Sequence, residues 1–191
     1  MTAGARELGG VVHRPATAKA REANERDHPG TVHRTAPAEE LGLEDASFDL
    51  AYYADIFEIT PRLDRVLAEA ARVLRPGGVL VYDTVNRTLL SRLIYLGAFQ
   101  RLPMTRIMPA GRYAAARLRT PAELAAALDR QGLRHEDTCA FKPKDPRSLV
   151  KATMARRRGR IGDEQIPPVV GFVLAPDAKP QVTYLGYARK G

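Results

Sequence analysis

One stretch near the middle of this 191-residue chain constrains the fold more than any other. Apolar residues at helical spacing over residues 63–74 predict a helix that buries one face. Pro76 cannot continue that helix, and the Gly77-Gly78 pair that follows allows a sharp turn. Residues 79–84 are apolar and mostly β-branched or aromatic, which is typical of a buried parallel strand. Helix, turn and strand together predict one αβ half of a doubly wound sheet.

Further elements are predicted on both sides of this unit. Strands are expected at residues 11–12, 31–35, 48–54 and 133–141, and helices at residues 15–26, 89–100 and from Pro121, with Thr120 as the N-cap. Residues 142–160 are expected to form a basic, irregular connector. Residues 169–174 and 182–188 flank a turn and predict a terminal antiparallel hairpin. The fold class is therefore α/β, a Rossmann-like and mostly parallel sheet that ends in an antiparallel hairpin.

Composition narrows the class of protein. Cys139 is the single cysteine, which excludes an internal disulfide and a multi-cysteine metal site, so the cytoplasm is the expected compartment. No apolar run approaches the roughly 18 residues that span a bilayer. The formal net charge of +8 favours anionic partners. The absence of tryptophan and the aromatic content of 6% nevertheless argue against a nucleic-acid partner that would stack its bases on aromatic rings.

An ordered set of short motifs resembles the class I S-adenosylmethionine-dependent methyltransferases. Residues 44–50 (EDASFDL) are similar to the acidic turn and fourth strand of that superfamily, and residues 72–78 (RVLRPGG) to its junction of helix and fifth strand. Residues 84–87 (TVNR) resemble, more narrowly, the T-x-N-R of the ubiquinone-biosynthesis O-methyltransferases. Residues 108–111 (MPAG) and 121–124 (PAEL) look like the P-x-G and P-A-E-L of that family, at a similar spacing.

The resemblance implies a single methyltransferase-like domain over residues 1–191. It would use S-adenosylmethionine to methylate an oxygen of a phenolic or quinol-type small molecule. Its parts would be a degenerate N-terminal part (1–35), a core sheet (36–86), a lid or interfacial segment (87–120) and a C-terminal helix with a hairpin (121–191). The family's first strand and its Gly-rich cofactor loop have no counterpart in this sequence, so the sheet is expected to lack its first strand.

The resemblance also implies site residues. The cofactor-binding positions would be Ala38, Glu39, Tyr53 and Ala54. Asp55 and Glu58 stand at two acids of the family's E-x-x-E-H and would be the catalytic residues that face the acceptor. Both are also candidate ligands of a divalent metal. Their i, i+3 spacing places them on one face of a helix. The alternative interpretation is a solvated helix start, where acids complement the helix dipole.

Several positions depart from the family pattern. Val12 or His13 stands where the family has a ribose-binding acid, and Pro37 replaces an aspartate that bonds adenine. Ile59 and Tyr113 replace two histidines, so both imidazoles suited to deprotonate a phenol are missing. A competing hypothesis is therefore an inactive remnant or a truncated gene model. Such a chain is expected to be marginal, oligomeric or prone to aggregation, because loss of a central strand exposes an edge.

Residues 87–108 support a third hypothesis, a basic module that binds a membrane surface. Leucines interleave with arginines in this segment, which is typical of a helix that lies on anionic lipid. The corresponding region of the resembled family contacts the membrane that holds its polyprenylated substrate, which implies a peripheral location. The alternative is a lid packed on the domain's own core. The arginine-rich residues 156–160 are interpreted either as a solvated loop or as a phosphate or lipid contact.

Overall fold

The computed structural model describes residues 9–12, 32–103, 105–162 and 165–191. Seven strands lie in the described part: β1 (Gly9–Val12), β2 (Val32–Thr35), β3 (Phe48–Tyr53), β4 (Leu74–Val85), β5 (Leu133–Pro143), β6 (Phe172–Ala175) and β7 (Thr183–Lys190). The α-helices are α1 (Leu63–Val73), α2 (Leu89–Ser91), α3 (Pro121–Asp129), α4 (Pro146–Arg157) and α5 (Ile166–Val170). The predicted helix at residues 15–26 and the departure at His13 lie outside the described residues.

Two separate sheets share the seven strands. β1 and β2 form a parallel pair, and the other five strands follow the order β3-β4-β7-β5-β6. β3 and β4 are parallel, whereas the β4–β7, β7–β5 and β5–β6 pairs are antiparallel. The larger sheet is therefore less parallel than the sequence predicts. The predicted direct pairing of the last two strands is wrong, because β5 lies between β6 and β7 and bonds to both.

The central helix–strand unit is confirmed, and its turn is a bulge in the sheet. Phe48 pairs with Leu74 and Leu50 pairs with Val79, so residues 75–78 are accommodated opposite a single residue, Asp49. Gly77 adopts a φ of +76°, which favours glycine. α1 packs its buried face, including Val66, Leu67 and Ala70, into the main core together with Leu80 and Tyr82 of β4. The bulge thus lets the helix pass directly into the strand while both stay buried.

The predicted irregular connector is wrong. Residues 146–157 form α4, which begins with Asp145 as the N-cap and Pro146 in the first turn. The Asp145 side chain accepts a hydrogen bond from the Arg147 backbone N–H, which satisfies one of the free donors at the start of the helix. The arginine run therefore lies at the C-terminal end of a helix, where positive charge complements the helix dipole.

Most of the predicted helix over residues 89–100 is a π-helix and not an α-helix. After the short α2, the chain continues as a π-helix, Arg92–Ala98. α3 begins at Pro121, and the Thr120 and Glu123 side chains form the reciprocal capping box. No helix in the described ranges is both long and apolar enough to cross a bilayer.

Candidate active site

The predicted acids lie where β3 and β4 end. Parallel neighbours bring their carboxyl ends to one edge of a sheet, which is where α/β proteins bind ligands. Asp55 follows β3 by two residues, Glu58 lies in the turn beyond it, and Thr84 lies near the end of β4. Residues 57–59 form a turn rather than a helix, so the predicted helical face that joins the two acids is wrong.

Glu58 is fully buried. The Thr84 hydroxyl donates a hydrogen bond to Glu58 Oε2 at 2.8 Å, while Oε1 has no hydrogen-bond partner among the described residues. Burial, followed by the nearby charge of Asp55, raises the pKa of the Glu58 carboxyl to about 8. The alternative of a solvated carboxylate is therefore wrong for this residue. A buried carboxyl that titrates near neutral pH is a candidate proton acceptor.

Asp55 has different surroundings. It is exposed, and its backbone adopts a φ of +53°, a left-handed conformation that is uncommon for a residue with a side chain. Its N–H donates to Asp83 Oδ1 at 3.2 Å, and the Tyr52 hydroxyl donates to the other oxygen of Asp83. Burial raises the pKa of the Asp83 carboxyl. Asp83 therefore holds the start of the loop that carries Glu58.

Two arginines hold the backbone of the turn that carries Glu58. Arg119 donates to the Phe57 carbonyl at 2.8 Å, and Arg117 donates to the Ile59 carbonyl at 3.0 Å. The carbonyl of Arg119 in turn accepts a hydrogen bond from the Tyr184 hydroxyl. Sequence reasoning missed both arginines, because nothing in the local pattern indicates which carbonyl a guanidinium will reach.

An aromatic wall lies beside Glu58. The rings of Tyr95 and Tyr113 meet edge to face with their centroids 4.9 Å apart, in a small cluster that also contains Ile59 and Met108. The side chain of the buried Gln100 bonds both the N–H and the carbonyl of Tyr113, at 2.6 and 3.1 Å. The tyrosine that replaces a histidine of the resembled family is thus a fixed part of the wall.

A cavity of about 250 Å³ lies next to these groups. It is lined by Ala38, Glu39, Ile56, Ile59, Thr60, Pro61, Gly111, Arg112 and Arg117. The structure therefore brings the predicted cofactor positions Ala38 and Glu39 together with residues that flank Glu58. Tyr53 instead packs in the core, stacked on Phe57 with ring centroids 5.7 Å apart, and Ala54 is exposed at the strand end. The Glu39 carboxylate accepts hydrogen bonds from Thr60 and Arg62.

The T-x-N-R motif acts as a structural junction. Thr84 bonds Glu58, Asn86 bonds the backbone of Pro180 and Val182, and Arg87 forms an ion pair with Glu123. Glu123 belongs to the P-A-E-L motif, where it also completes the capping box of α3. The two motifs predicted from sequence therefore meet in space and fix the strand, the lid and α3 relative to one another.

The metal prediction gains no third ligand from the structure. Across residues 9–12, 32–103, 105–162 and 165–191, no three histidine, cysteine, aspartate or glutamate side chains converge as a metal site requires. The predicted binding of a metal by Asp55 and Glu58 stays a prediction.

Comparison with known proteins identifies the domain. Residues 3–82 match the model of a methyltransferase domain. A SAM-dependent methyltransferase of Thermotoga maritima superposes with a TM-score of 0.60 at 18% identity, covering 95% of this chain and 72% of the other. Residues 3–82 are therefore similar to a methyltransferase domain, and the described fold is that of the class I S-adenosylmethionine-dependent methyltransferases. The fold class and the resemblance on which the sequence analysis relies are confirmed, and S-adenosylmethionine is the cofactor of this class.

Two curated relatives narrow the comparison. The ubiquinone biosynthesis O-methyltransferase of Sinorhizobium fredii is 30% identical over 105 residues, which is 55% of this chain and 42% of that protein. The mitochondrial 2-methoxy-6-polyprenyl-1,4-benzoquinol methylase of Rattus norvegicus is 43% identical over 70 residues, which is 35% of this chain and 21% of that protein. The chain thus spans less than half the length of both relatives.

Proposed function

We propose that this chain is an S-adenosylmethionine-dependent methyltransferase that methylates an oxygen of a phenolic or quinol-type ring. One observation carries the proposal: a fully buried carboxyl, Glu58, has one unpartnered oxygen beside an aromatic wall. Support also comes from the match of residues 3–82 to a methyltransferase domain and from two relatives, one named as a benzoquinol methylase and the other as a ubiquinone biosynthesis O-methyltransferase.

The described residues fit the nucleoside part of the cofactor. Ala38 is buried and small, and it lines the cavity beside Ile56, which suits a flat purine ring. Glu39 lines the same cavity, and Ala54 is exposed where β3 ends; with Ala38 they would hold the cofactor. When bound, S-adenosylmethionine supplies an electrophilic methyl group on a sulfonium sulfur.

Glu58 takes the role that the missing histidines leave open. A phenol has a pKa near 10, so its oxygen needs a proton acceptor at neutral pH. The acceptor's O–H bond breaks as its proton passes to Glu58 Oε1, while Thr84 holds the other oxygen in place. With the pKa of Glu58 raised to about 8, kcat/KM is expected to rise with pH up to that value.

Methyl transfer to catechol from labelled S-adenosylmethionine tests this role. Glu58→Gln keeps the shape of the side chain and removes the base, so we expect a loss of about 100-fold or more in kcat/KM with binding of S-adenosylhomocysteine retained. The matched control is Glu44→Gln, an exposed glutamate outside the site. Equal rates for Glu58→Gln and the control would exclude Glu58 as the base.

The lid supplies a second candidate role, contact with an anionic membrane surface. Leu89, Leu93 and Leu102 are 78%, 70% and 55% exposed, whereas Tyr95 and Leu96 pack against the core. The segment thus has features of both alternatives from the sequence, an interfacial face and a packed lid. Co-sedimentation with vesicles tests the exposed face. We expect binding to anionic but not to neutral lipid, and a Leu89→Ser/Leu93→Ser double variant that still co-sediments would refute this role.

A further inference from the structure

We propose that a groove between α1 and α3 binds a phosphate group, at a site separate from the one proposed for methyl transfer. The groove has a volume of about 590 Å³ and lies between the first turn of α1 and one face of α3, with Leu118 and Arg119 also in its lining. Glu58 does not line this groove, so the inference does not depend on the proposed function.

The lining of the groove carries an excess of positive charge. It contains five arginines and two acids: Arg62, Arg65, Arg87, Arg119 and Arg130, with Asp64 and Glu123. Both acids are already paired, Asp64 with Arg130 at 3.0 Å and Glu123 with Arg87. A ligand in the groove therefore meets no unpaired carboxylate of the lining.

Arg119 supplies donors that are held in place. Its Nη1 donates to the carbonyls of Phe57 and Arg117, at 2.8 and 2.6 Å, which restrains the guanidinium group. Its Nε and Nη2 have no hydrogen-bond partner among the described residues, and neither is sealed in the interior. A restrained guanidinium with accessible, unused donors is well suited to bind an anion.

Arg65 adds a second guanidinium from the first turn of α1. Its side chain is exposed, and like Arg119 it forms no ion pair within the described part of the chain. α1 begins after Arg62 without a side-chain cap, so backbone N–H groups at its start can also donate to a ligand. The positive end of the helix dipole thus adds to the charge of the arginines.

A phosphate group suits this groove better than a carboxylate. A phosphate monoester carries a charge of about −1.5 to −2 at neutral pH and has three acceptor oxygens, so it can accept from two guanidinium groups at once. A carboxylate offers a single charge and two oxygens. The groove is also larger than a phosphate group, and Ala116, Leu118 and Ala126 line part of the remainder. The rest of the ligand therefore contacts an apolar surface.

A phosphate monoester can belong to a soluble metabolite or to a lipid headgroup. Calorimetric titration at constant ionic strength compares three probes: glycerol phosphate, glycerate and dihexanoyl phosphatidic acid below its micelle concentration. Glycerate replaces the phosphate by a carboxylate, and the phosphatidic acid adds two short acyl chains. Tighter binding of the phosphatidic acid than of glycerol phosphate would identify a lipid headgroup as the source, and binding that is no tighter would identify a soluble ester.

We expect glycerol phosphate to bind saturably and at least about tenfold more tightly than glycerate, because charge-assisted hydrogen bonds add to its affinity. Arg65→Glu reverses an exposed charge of the groove and should weaken glycerol phosphate at least about tenfold. The matched control is Arg147→Glu, which makes the same change in the first turn of α4 and should leave the affinity unchanged. Circular dichroism of each variant confirms that it is folded.

Three results would overturn the proposal: no saturable heat with glycerol phosphate or the phosphatidic acid, glycerate that binds as tightly as glycerol phosphate, or a loss of affinity in Arg65→Glu no larger than in Arg147→Glu. The titrations contain neither S-adenosylmethionine nor a methyl acceptor. Their failure therefore leaves the proposed function unaffected, and the two proposals stand on separate measurements.

Discussion

At the scale of single residues, Glu58 links function to stability. Its carboxyl is buried, and its pKa is raised from 4.5 to about 8, so the folded state favours the protonated form. Below pH 4.5 the carboxyl is protonated in both the folded and the unfolded state, so its titration does not change the free energy of unfolding. Between pH 4.5 and 8 the unfolded chain loses the proton and the folded chain keeps it, so the free energy of unfolding falls by about 1.4 kcal/mol per pH unit.

The stability of Glu58→Gln relative to the wild-type protein should therefore increase with pH. The amide carries no charge, so the variant avoids the cost that the wild-type protein bears above pH 4.5. We expect similar melting temperatures at pH 5 and a variant that is clearly more stable than wild type at pH 8.5. Thermal melts at both pH values measure this, and a gap that does not widen with pH would show that Glu58 is not a buried, proton-binding carboxyl.

A substitution at Gly78 tests the bulge that follows the central helix. A Cβ at this position would lie 2.8 Å from the carbonyl oxygen of Arg75 and 3.3 Å from that of Asp49, both backbone atoms that cannot easily move. We expect Gly78→Ala to lower the free energy of unfolding by about 1–3 kcal/mol. The control is Gly97→Ala, where the nearest atom is 4.0 Å away. Equal denaturation midpoints for the two variants would contradict the tight bulge.

At the scale of elements, Gln100 fixes the lid to the aromatic wall. Its buried amide bonds both backbone groups of Tyr113, so it joins the end of the helical segment to the return of the chain. Gln100→Ala leaves two backbone groups without partners, which costs about 1–3 kcal/mol each when they stay buried. The lid is therefore expected to open more often.

Hydrogen exchange measures that opening. We expect faster exchange over residues 92–113 in Gln100→Ala, with unchanged exchange in the central strands β4 and β7. The control is Gln131→Ala, which changes a half-buried glutamine just after α3. Protection of the lid at the wild-type level in Gln100→Ala would show that this amide does not hold it.

Short-range sequence signals predict the elements well where they are complete. The 63–74 helix forms within one residue of its predicted limits, and the capped helix begins at Pro121 as predicted. The following strand, predicted over residues 79–84, begins earlier and spans Leu74–Val85. The Asp145 cap and Pro146 were an available signal for α4, but the weak apolar pattern over residues 146–157 concealed it. The order of β5, β6 and β7 was not predictable in this way, because pairing depends on contacts between distant residues.

The candidate site was likewise predictable where it depends on local motifs and not where it depends on contacts between distant residues. The family motifs contain Thr84, Arg87 and Glu123. In the structure Thr84 donates a hydrogen bond to Glu58, and Arg87 forms an ion pair with Glu123. The burial of Glu58 depends on tertiary packing, and so do the hydrogen bonds that Arg117 and Arg119 donate to carbonyls of its turn. The helical face expected from the i, i+3 spacing of Asp55 and Glu58 is wrong, because residues 57–59 form a turn, and the catalytic role of both acids stays a prediction.

At the scale of the whole molecule, the sheet is divided. β3 lies at one edge of the five-stranded sheet, and β1 pairs only with β2 among the described strands. Leu50 and Tyr52 of β3 are 58% and 57% exposed. The expectation that the sheet lacks its first strand stays a prediction. Every element that positions Glu58 belongs to the larger sheet and its lid.

The central proposal is that this chain binds S-adenosylmethionine. Calorimetric titration of the folded chain with S-adenosylhomocysteine tests it most directly. We predict a saturable heat signal with one binding site per chain. Heats no larger than those of dilution, from protein whose circular dichroism shows a folded α/β domain, would contradict the claim and favour the inactive remnant.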